Sequence, residues 1–425
     1  MAELSLPAHD LDRARASNLM AQDGLDAIVA QSPENFYYAT GHRAWAINLY
    51  RRAGFGAAVV PADPAAGAGA VVADVDAGHF RRTTAGAFPH VREYAFWVAF
   101  CEVDPSRASD DVCGALHAAS TDKPRDLLGQ VDRQATIQEV AGVIREMGLS
   151  ERRRIGIELG FMSADTFGWL RDLLPGVTWV DCGGLLAELR MLKNPREVAR
   201  LKTATELTEA GIAGAIAHRR RGVTARELVR AYERAILNEP RVTAEAVDLG
   251  MMRLSLRLGP NVMSAEAYGP HPLVRGDLLF LDAGVEVAGY RSDMGRTAVY
   301  GAPTDSQKTV HEALLAGQLA ARDLLRPGTP SSEIFWAGQR AIWQAGLESY
   351  VRGNVGHGIG MDAAPELPII SKEDPHVLAP GMVISVEFPY YVHGLGAFQV
   401  EDTYLITKAG AERWTMLPDQ LVELD

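Results

Sequence analysis

Two aspartates embedded in apolar sequence constrain this chain more than any other feature. Asp282 closes the run Leu278-Leu279-Phe280-Leu281, and Asp293 returns just beyond a glycine-containing turn. Runs of this kind around turn chemistry predict a two-stranded hairpin from Phe280 to Gly301. With Asp282 opposite Asp293, the midpoint falls between Val287 and Ala288, just before Gly289. Side chains directly opposite share one face, with Cβ atoms about 5 Å apart. Carboxylates held that close repel, and one takes up a proton unless a cation separates them. The hairpin therefore predicts a divalent metal site.

Three further hard ligands follow. His357 stands between Gly356 and Gly358, where backbone can approach closely, and Glu387 lies near the end of the apolar run Met382–Phe388. Glu401 lies in Ala397–Ile406, and it is symmetric with Glu387 about Gly394 in His393-Gly394-Leu395-Gly396. A second hairpin there again sets two carboxylates opposite each other, with Asp402 pointing to the other face in a structural role. Four carboxylates and a neutral imidazole carry a formal charge of −4, which two divalent cations balance. Oxygen-rich ligation with one nitrogen favours Mn2+, Fe2+ or Co2+ and admits Zn2+. Bridging carboxylates hold such ions roughly 3.5–4 Å apart, the spacing of two-metal hydrolases.

The remaining chain supplies a frame. At 425 residues, two domains are expected. Helical and strand-like runs alternate up to Cys182, among them Arg154–Leu159, Ala164–Leu174 and Thr178–Cys182, which predicts an α/β layer over residues 1–188. Pro195 after Asn194, with Glu197 following, starts a long helix. Over residues 189–425, strand-like runs flank helices, an α+β pattern. Gly41–Arg52, dense in aromatic and basic residues, is either a substrate-facing loop or an interface.

A net charge of −12 argues against a nucleic-acid or anionic-membrane partner. No apolar run approaches the ~20 residues of a membrane span, and the first residues lack a signal-peptide core. Cys101, Cys113 and Cys182 show no CxxC spacing and cannot all pair, as expected of a reduced cytoplasmic protein.

With these residues in place, the chain resembles the pita-bread metallopeptidase family, which includes prolidases, Xaa-Pro aminopeptidases and methionine aminopeptidases. It is most similar to the branch that also holds creatinase, over nearly the whole chain, including Leu192-Lys193-Asn194-Pro195-Arg196-Glu197. The resemblance implies a creatinase-type N-terminal domain, a pita-bread catalytic domain, and metal ligation by Asp282, Asp293, His357, Glu387 and Glu401. It also implies a homodimer in which the N-terminal domain reaches toward the partner's site. Creatinase itself lacks the metal ligands, so their presence argues against that activity.

The chain also departs from the family's peptidases. They place a histidine about five residues beyond a GPN-like turn, where this chain reads Ser264-Ala265-Glu266, with His271 later. A second family histidine falls on Ala364, and an arginine two before the last ligand falls on Gln399. Those histidines serve proton transfer and carbonyl polarisation, worth roughly 10²–10⁴-fold in rate. Gly259–Pro272 and the segment after His357 resemble the dimethylsulfoniopropionate lyase offshoot, which carries an additional Asp where this chain has Gly284.

The expectation is a dinuclear metal-dependent hydrolase cleaving a C–N bond in a small peptide-like or zwitterionic substrate, outside standard Xaa-Pro activity. A metal-dependent lyase and a non-catalytic metal-binding scaffold stay open as alternatives. Asp362, Glu266 and His271 are the candidate catalytic groups. Tyr290, Tyr390, Tyr391, His393 and Gln399 are candidate substrate contacts, the aromatic faces suiting a cationic group.

Overall fold

Apolar runs bounded by turns and prolines form the centre of the first sheet. Ala27–Ala30 (β1), Ala57–Pro61 (β2) and Gly69–Ala73 (β3) are buried at every position, as strands covered on both faces must be. His90–Tyr94 (β4), Arg153–Ile157 (β5) and Val177–Asp181 (β6) complete the order β4-β3-β2-β1-β5-β6. β1 pairs antiparallel with β2 and parallel with β5, giving a mixed α/β sheet. The aromatic segment after Gly41 contains a short helix, Trp45–Tyr50, and the Tyr50 ring stacks on Phe55 at 4.1 Å.

The computed structural model describes residues 9–84, 86–96, 113, 132–244, 247–260 and 271–425. The chain divides into two compact units, Met1–Leu189 and Arg190–Asp425. No helix among the described residues is long and apolar enough to cross a membrane.

The second unit opens with two capped helices. The Asn194 side chain accepts from the Arg196 and Glu197 amides, and Glu197 reaches back to the Asn194 N–H, so Pro195–Ala217 starts at a full capping box. Thr224 and Glu227 repeat the device for Ala225–Leu237.

The strands that follow are Leu249–Leu258 (β7), Leu278–Val287 (β8), Tyr290–Arg291 (β9), Met294–Tyr300 (β10), Asn354–Gly358 (β11), Glu366–Ser371 (β12), Val383–Glu387 (β13), Tyr390–Val392 (β14), Gly396–Phe398 (β15), Glu401–Thr407 (β16), Gly410–Arg413 (β17) and Val422–Leu424 (β18). They build a ten-stranded sheet with the path β12-β11-β13-β16-β10-β8-β7, plus β17 on β16, β18 on β10 and β9 on β8. β14 and β15 pair separately as the tip of the β13–β16 hairpin.

Strand alternation decides which face carries chemistry. Leu279, Leu281, Ala283 and Val285 of β8 pack in one buried cluster with Leu207, Ile212, Leu228 and Tyr232 of the two capped helices. Ile384 and Val386 of β13, with Tyr404 and Ile406 of β16, pack in another with residues of helices Asp305–Arg322 and Ser331–Gln344. The helices therefore cover one face. The even positions of β8 and the odd positions of β13 and β16 are left on the other.

The turn of the first hairpin is centred one residue later than expected, which moves the partner of Asp282 by two. Ala288 and Gly289 both take positive φ (48° and 84°), forming a two-residue turn of the kind that matches strand twist. Val287 then pairs with Tyr290, and Asp282 lies opposite Gly295, not Asp293. Asp293 precedes Met294, the partner of Ala283, so the two aspartates are diagonal neighbours on one face. The ladder is interrupted at Ser292, whose hydroxyl accepts from the Val285 amide at 3.0 Å.

Candidate metal centre

Register alone assembles the site. Ser255 pairs with Asp282, Asp282 with Gly295, Gly295 with Glu401, and Glu401 with Glu387, a straight row across five strands. His357 pairs with Ser385, two residues before Glu387, so the imidazole joins the same face. Its glycine neighbours are needed for this placement. A Cβ at Gly356 would lie 2.2 Å from the Ser385 carbonyl oxygen, and one at Gly358 2.1 Å from that of Leu367. Gly295 likewise leaves room, since a Cβ there would sit 3.0 Å from Glu401 Oε2.

Among the described residues, Asp293, His357 and Glu401 bring one donor atom each within 4.8 Å of one another. His357 Nδ1 donates to the Gly358 carbonyl at 2.9 Å, which fixes the tautomer and leaves the Nε2 lone pair facing Asp293 Oδ2, 3.7 Å away. Ser385 Oγ donates to Glu401 Oε1 at 2.8 Å, and Gln399 Nε2 donates to Glu401 Oε2 at 2.8 Å. Arg352 Nη2 lies 3.3 Å from Glu387 Oε1. Arg253 forks across the two aspartates, donating to Asp282 Oδ1 at 2.8 Å and Asp293 Oδ1 at 2.7 Å.

The charges are crowded. Removal from water, then the Asp282 charge, push the Asp293 carboxyl up to about 7 against the pull of Arg253 and His357. Burial, then Asp293 and Glu387, raise Glu401 well above the carboxylate range. Carboxyls held in this condition beside a lone imidazole nitrogen fit a divalent cation, whose charge would return them to the ionised form.

A cavity of about 320 Å³ opens on this face, lined by Arg253, Arg291, Asp293, His357, Gly358–Gly360 and Asp362–Pro365 among others. Its far wall is set by buried charge. Glu366 accepts from the Met361 amide at 2.7 Å and the Asp362 amide at 3.1 Å, and pairs with Arg190 at 2.5 Å and Lys193 at 3.4 Å. Burial raises the Glu366 carboxyl, but Arg190 and Lys193 outweigh it and hold it down to about 2. Arg190 also binds the Asp362 carboxylate, which lies in the cavity wall.

The other sequence candidates separate. Gln399 is buried against the carboxylates, and its Oε1 has no partner among the described residues. Tyr391 lies beside Phe280, with Arg257 over both rings at 5.1 and 4.5 Å. Tyr390 packs on Tyr350, its hydroxyl 3.2 Å from that of Ser349. His393 is exposed at the hairpin tip, outside the cavity lining.

Two candidates need correction. Tyr290 is three positions from Asp293, hence on the opposite face, where its hydroxyl donates to Glu197 at 3.1 Å in the core. His271 Nε2 donates to Asp277 at 2.9 Å within a turn and does not line the cavity. Glu266 lies outside the described residues. Asp402 does face away, buried against Arg296 and Arg413.

Sequence reasoning missed Arg253, Arg291, Arg352 and Ser385. A signal existed for the first: Arg253, Ser255 and Arg257 alternate with Leu254, Leu256 and Leu258, marking a polar face on β7.

Comparison with known proteins places this geometry. Residues 199–408 match the model of metallopeptidase family M24, and residues 112–192 match the creatinase/prolidase N-terminal domain. The chain is similar to the Xaa-Pro dipeptidase of Pyrococcus horikoshii, 28% identical over 62% of this chain and 74% of that protein. It is also similar to the Xaa-Pro dipeptidase of Lactobacillus helveticus, 27% identical over 77% and 87% of the two chains. Its fold matches the solved Xaa-Pro dipeptidase from Bacillus anthracis with TM-score 0.76 at 20% identity, covering 97% of this chain and 99% of the other.

Proposed function

Because the chain belongs to metallopeptidase family M24, a metallohydrolase family, we propose that it hydrolyses a peptide-type C–N bond in a short zwitterionic substrate. The observation that carries this reading is the row of carboxylates on one sheet face, completed by His357 and opening into a cavity sized for a small molecule.

Asp282, Asp293, His357, Glu387 and Glu401 would hold the divalent cations, with Mn2+, Fe2+ or Co2+ favoured by the donor set. When bound, such cations supply Lewis-acid polarisation of a carbonyl and activation of water at neutral pH. The chain's own residues do the rest. Gly358 orients the imidazole, and Ser385 and Gln399 hold Glu401 in one rotamer. Asp362 offers a carboxylate to a substrate ammonium or to a proton in transfer. Arg291, anchored to Glu286 at 2.9 Å, has an Nη1 without a partner among the described residues and offers it to a substrate carboxylate.

We place the substrate outside the Xaa-Pro dipeptides of the relatives. Ala363, Ala364 and Pro365 make that part of the cavity wall apolar, and His271 is engaged by Asp277. The lyase alternative is disfavoured at Gly284, where a Cβ would lie 2.4 Å from the Ser292 carbonyl oxygen, leaving no room for an extra carboxylate. The proposal includes a cytoplasmic homodimer, to be read by light scattering on the purified chain.

The test is an assay of metal-loaded protein against Xaa-Pro dipeptides beside other dipeptides and small amide or betaine-like metabolites. Amine release from a non-prolyl substrate at a kcat/KM at least tenfold above that for Xaa-Pro is expected. Release of an unsaturated acid, or a clear preference for Xaa-Pro, would refute the reading.

A further inference from the structure

We propose that Arg253 is a built-in counter-ion that holds the Asp282–Asp293 position against a second metal ion. The resting centre then takes one divalent cation, at Asp293, His357 and Glu401. The inference rests on the metal-centre reading above and refines it.

The register puts Arg253 in place. β7 sets Arg253 opposite Gly284, and Asp293 falls one step before Met294 on the far side of β8, so the three residues line up across β7, β8 and the segment before β10 on the carboxylate face. Gly284 has no side chain between them. A guanidinium starting on β7 therefore reaches over it to both aspartates, and Gly284 Cβ space lies 3.8 Å from Arg253 Nη2. Leu254 and Leu256 on the helix-covered face hold β7 in this register, which keeps the Arg253 backbone beside Gly284 and its side chain on the carboxylate face.

The aspartate oxygens are then divided. Asp282 Oδ1 and Asp293 Oδ1 accept from the two arms of Arg253, while Asp293 Oδ2 turns to His357 Nε2. The compact donor group among the described residues contains Asp293, His357 and Glu401 but not Asp282. A bidentate guanidinium is the side chain best shaped to bridge two carboxylates, and it keeps its charge at any working pH.

The charge count points the same way. Four carboxylates are offset in part by Arg253 on the aspartate pair and Arg352 on Glu387, which leaves a charge of −2 for cations to balance. One divalent ion matches that. A second would have to share the Asp282 and Asp293 carboxylates with the guanidinium, setting that cation beside two metal charges.

The test uses the full chain, stripped by chelator and titrated with Mn2+ by calorimetry, with elemental analysis of the desalted product. Wild type is expected to retain one ion per chain and to bind a second at least tenfold more weakly. Arg253→Met, which keeps the length and removes the charge, should retain two. Arg253→Gln serves as the second variant if the first loses its native circular dichroism. With two equivalents of Mn2+, electron paramagnetic resonance should show a spin-coupled pair in the variant and isolated ions in wild type. Two tightly held ions in wild type, with the variant unchanged, would overturn the role of Arg253 and leave the metal centre standing. No tight ion in either protein would overturn both.

Discussion

Replacing Arg190 by Met should loosen the cavity wall by an amount the structure allows to be worked out. The Arg190 side chain is 6% exposed and Glu366 is 5% exposed, so solvent screens the pair little. Glu366 is held down to about 2, against about 4.3 for an unperturbed glutamate. At about 1.36 kcal/mol per pH unit, that difference corresponds to about 3 kcal/mol of native stability. Removing one partner of a buried pair costs about 3–5 kcal/mol, and the lower end applies because Lys193 and two backbone amides still face the carboxylate. The sign follows from the direction of the shift. A depressed carboxyl contributes stability that is fully present above about 4.3 and is lost as pH falls toward 2. Hydrogen exchange at the Met361 and Asp362 amides reads this locally, without requiring the two units to unfold together. Protection there should fall on the order of a hundredfold at pH 7 in Arg190→Met. The wild-type decline in opening free energy between pH 4.3 and 2 should flatten in the variant. Protection within threefold of wild type, or an unchanged acid limb, would refute the account of the wall.

Ser385→Ala removes the donor that orients Glu401 Oε1 and should weaken metal binding about 10–100-fold, measured by chelator competition with the fold intact. Ala364→His restores an imidazole to the cavity wall and should raise kcat on Xaa-Pro dipeptides by about tenfold or more; a rate within twofold of wild type would count against acid–base loss as the cause of altered specificity. Gly284→Ala drives a Cβ against the Ser292 carbonyl oxygen and should cost about 1–3 kcal/mol, seen as a lowered Tm.

Much of the site could be read in advance because carboxylates in apolar strands announce themselves, and strand alternation has a fixed period. The Glu387–Glu401 pairing follows from symmetry about Gly394, which takes φ 84° at the tip. The turn centre of the first hairpin moved by one residue because Ala288, an ordinary side chain, occupies a left-handed position that sequence would assign to glycine. Tyr290 was misplaced although the count from Asp293 already sets it on the opposite face. For Arg253 the alternation along β7 marks a polar face but does not reveal what it touches. Its partners belong to β8 and the segment before β10, and which strands become neighbours is a property of the sheet, not of local sequence.

The straight row from Ser255 to Glu387 has a consequence for folding. Gly295 meets Glu401 only after the chain has run through two helices and five further strands, so the Asp282–Asp293 and Glu387–Glu401 pairs stay apart until the two hairpins dock. Contacts so distant in sequence form late and slowly. The full donor set exists only in the complete sheet, and ion uptake by that set reports finished topology. At a free ion concentration a hundred times Kd, that uptake adds about 2.7 kcal/mol to the native state alone.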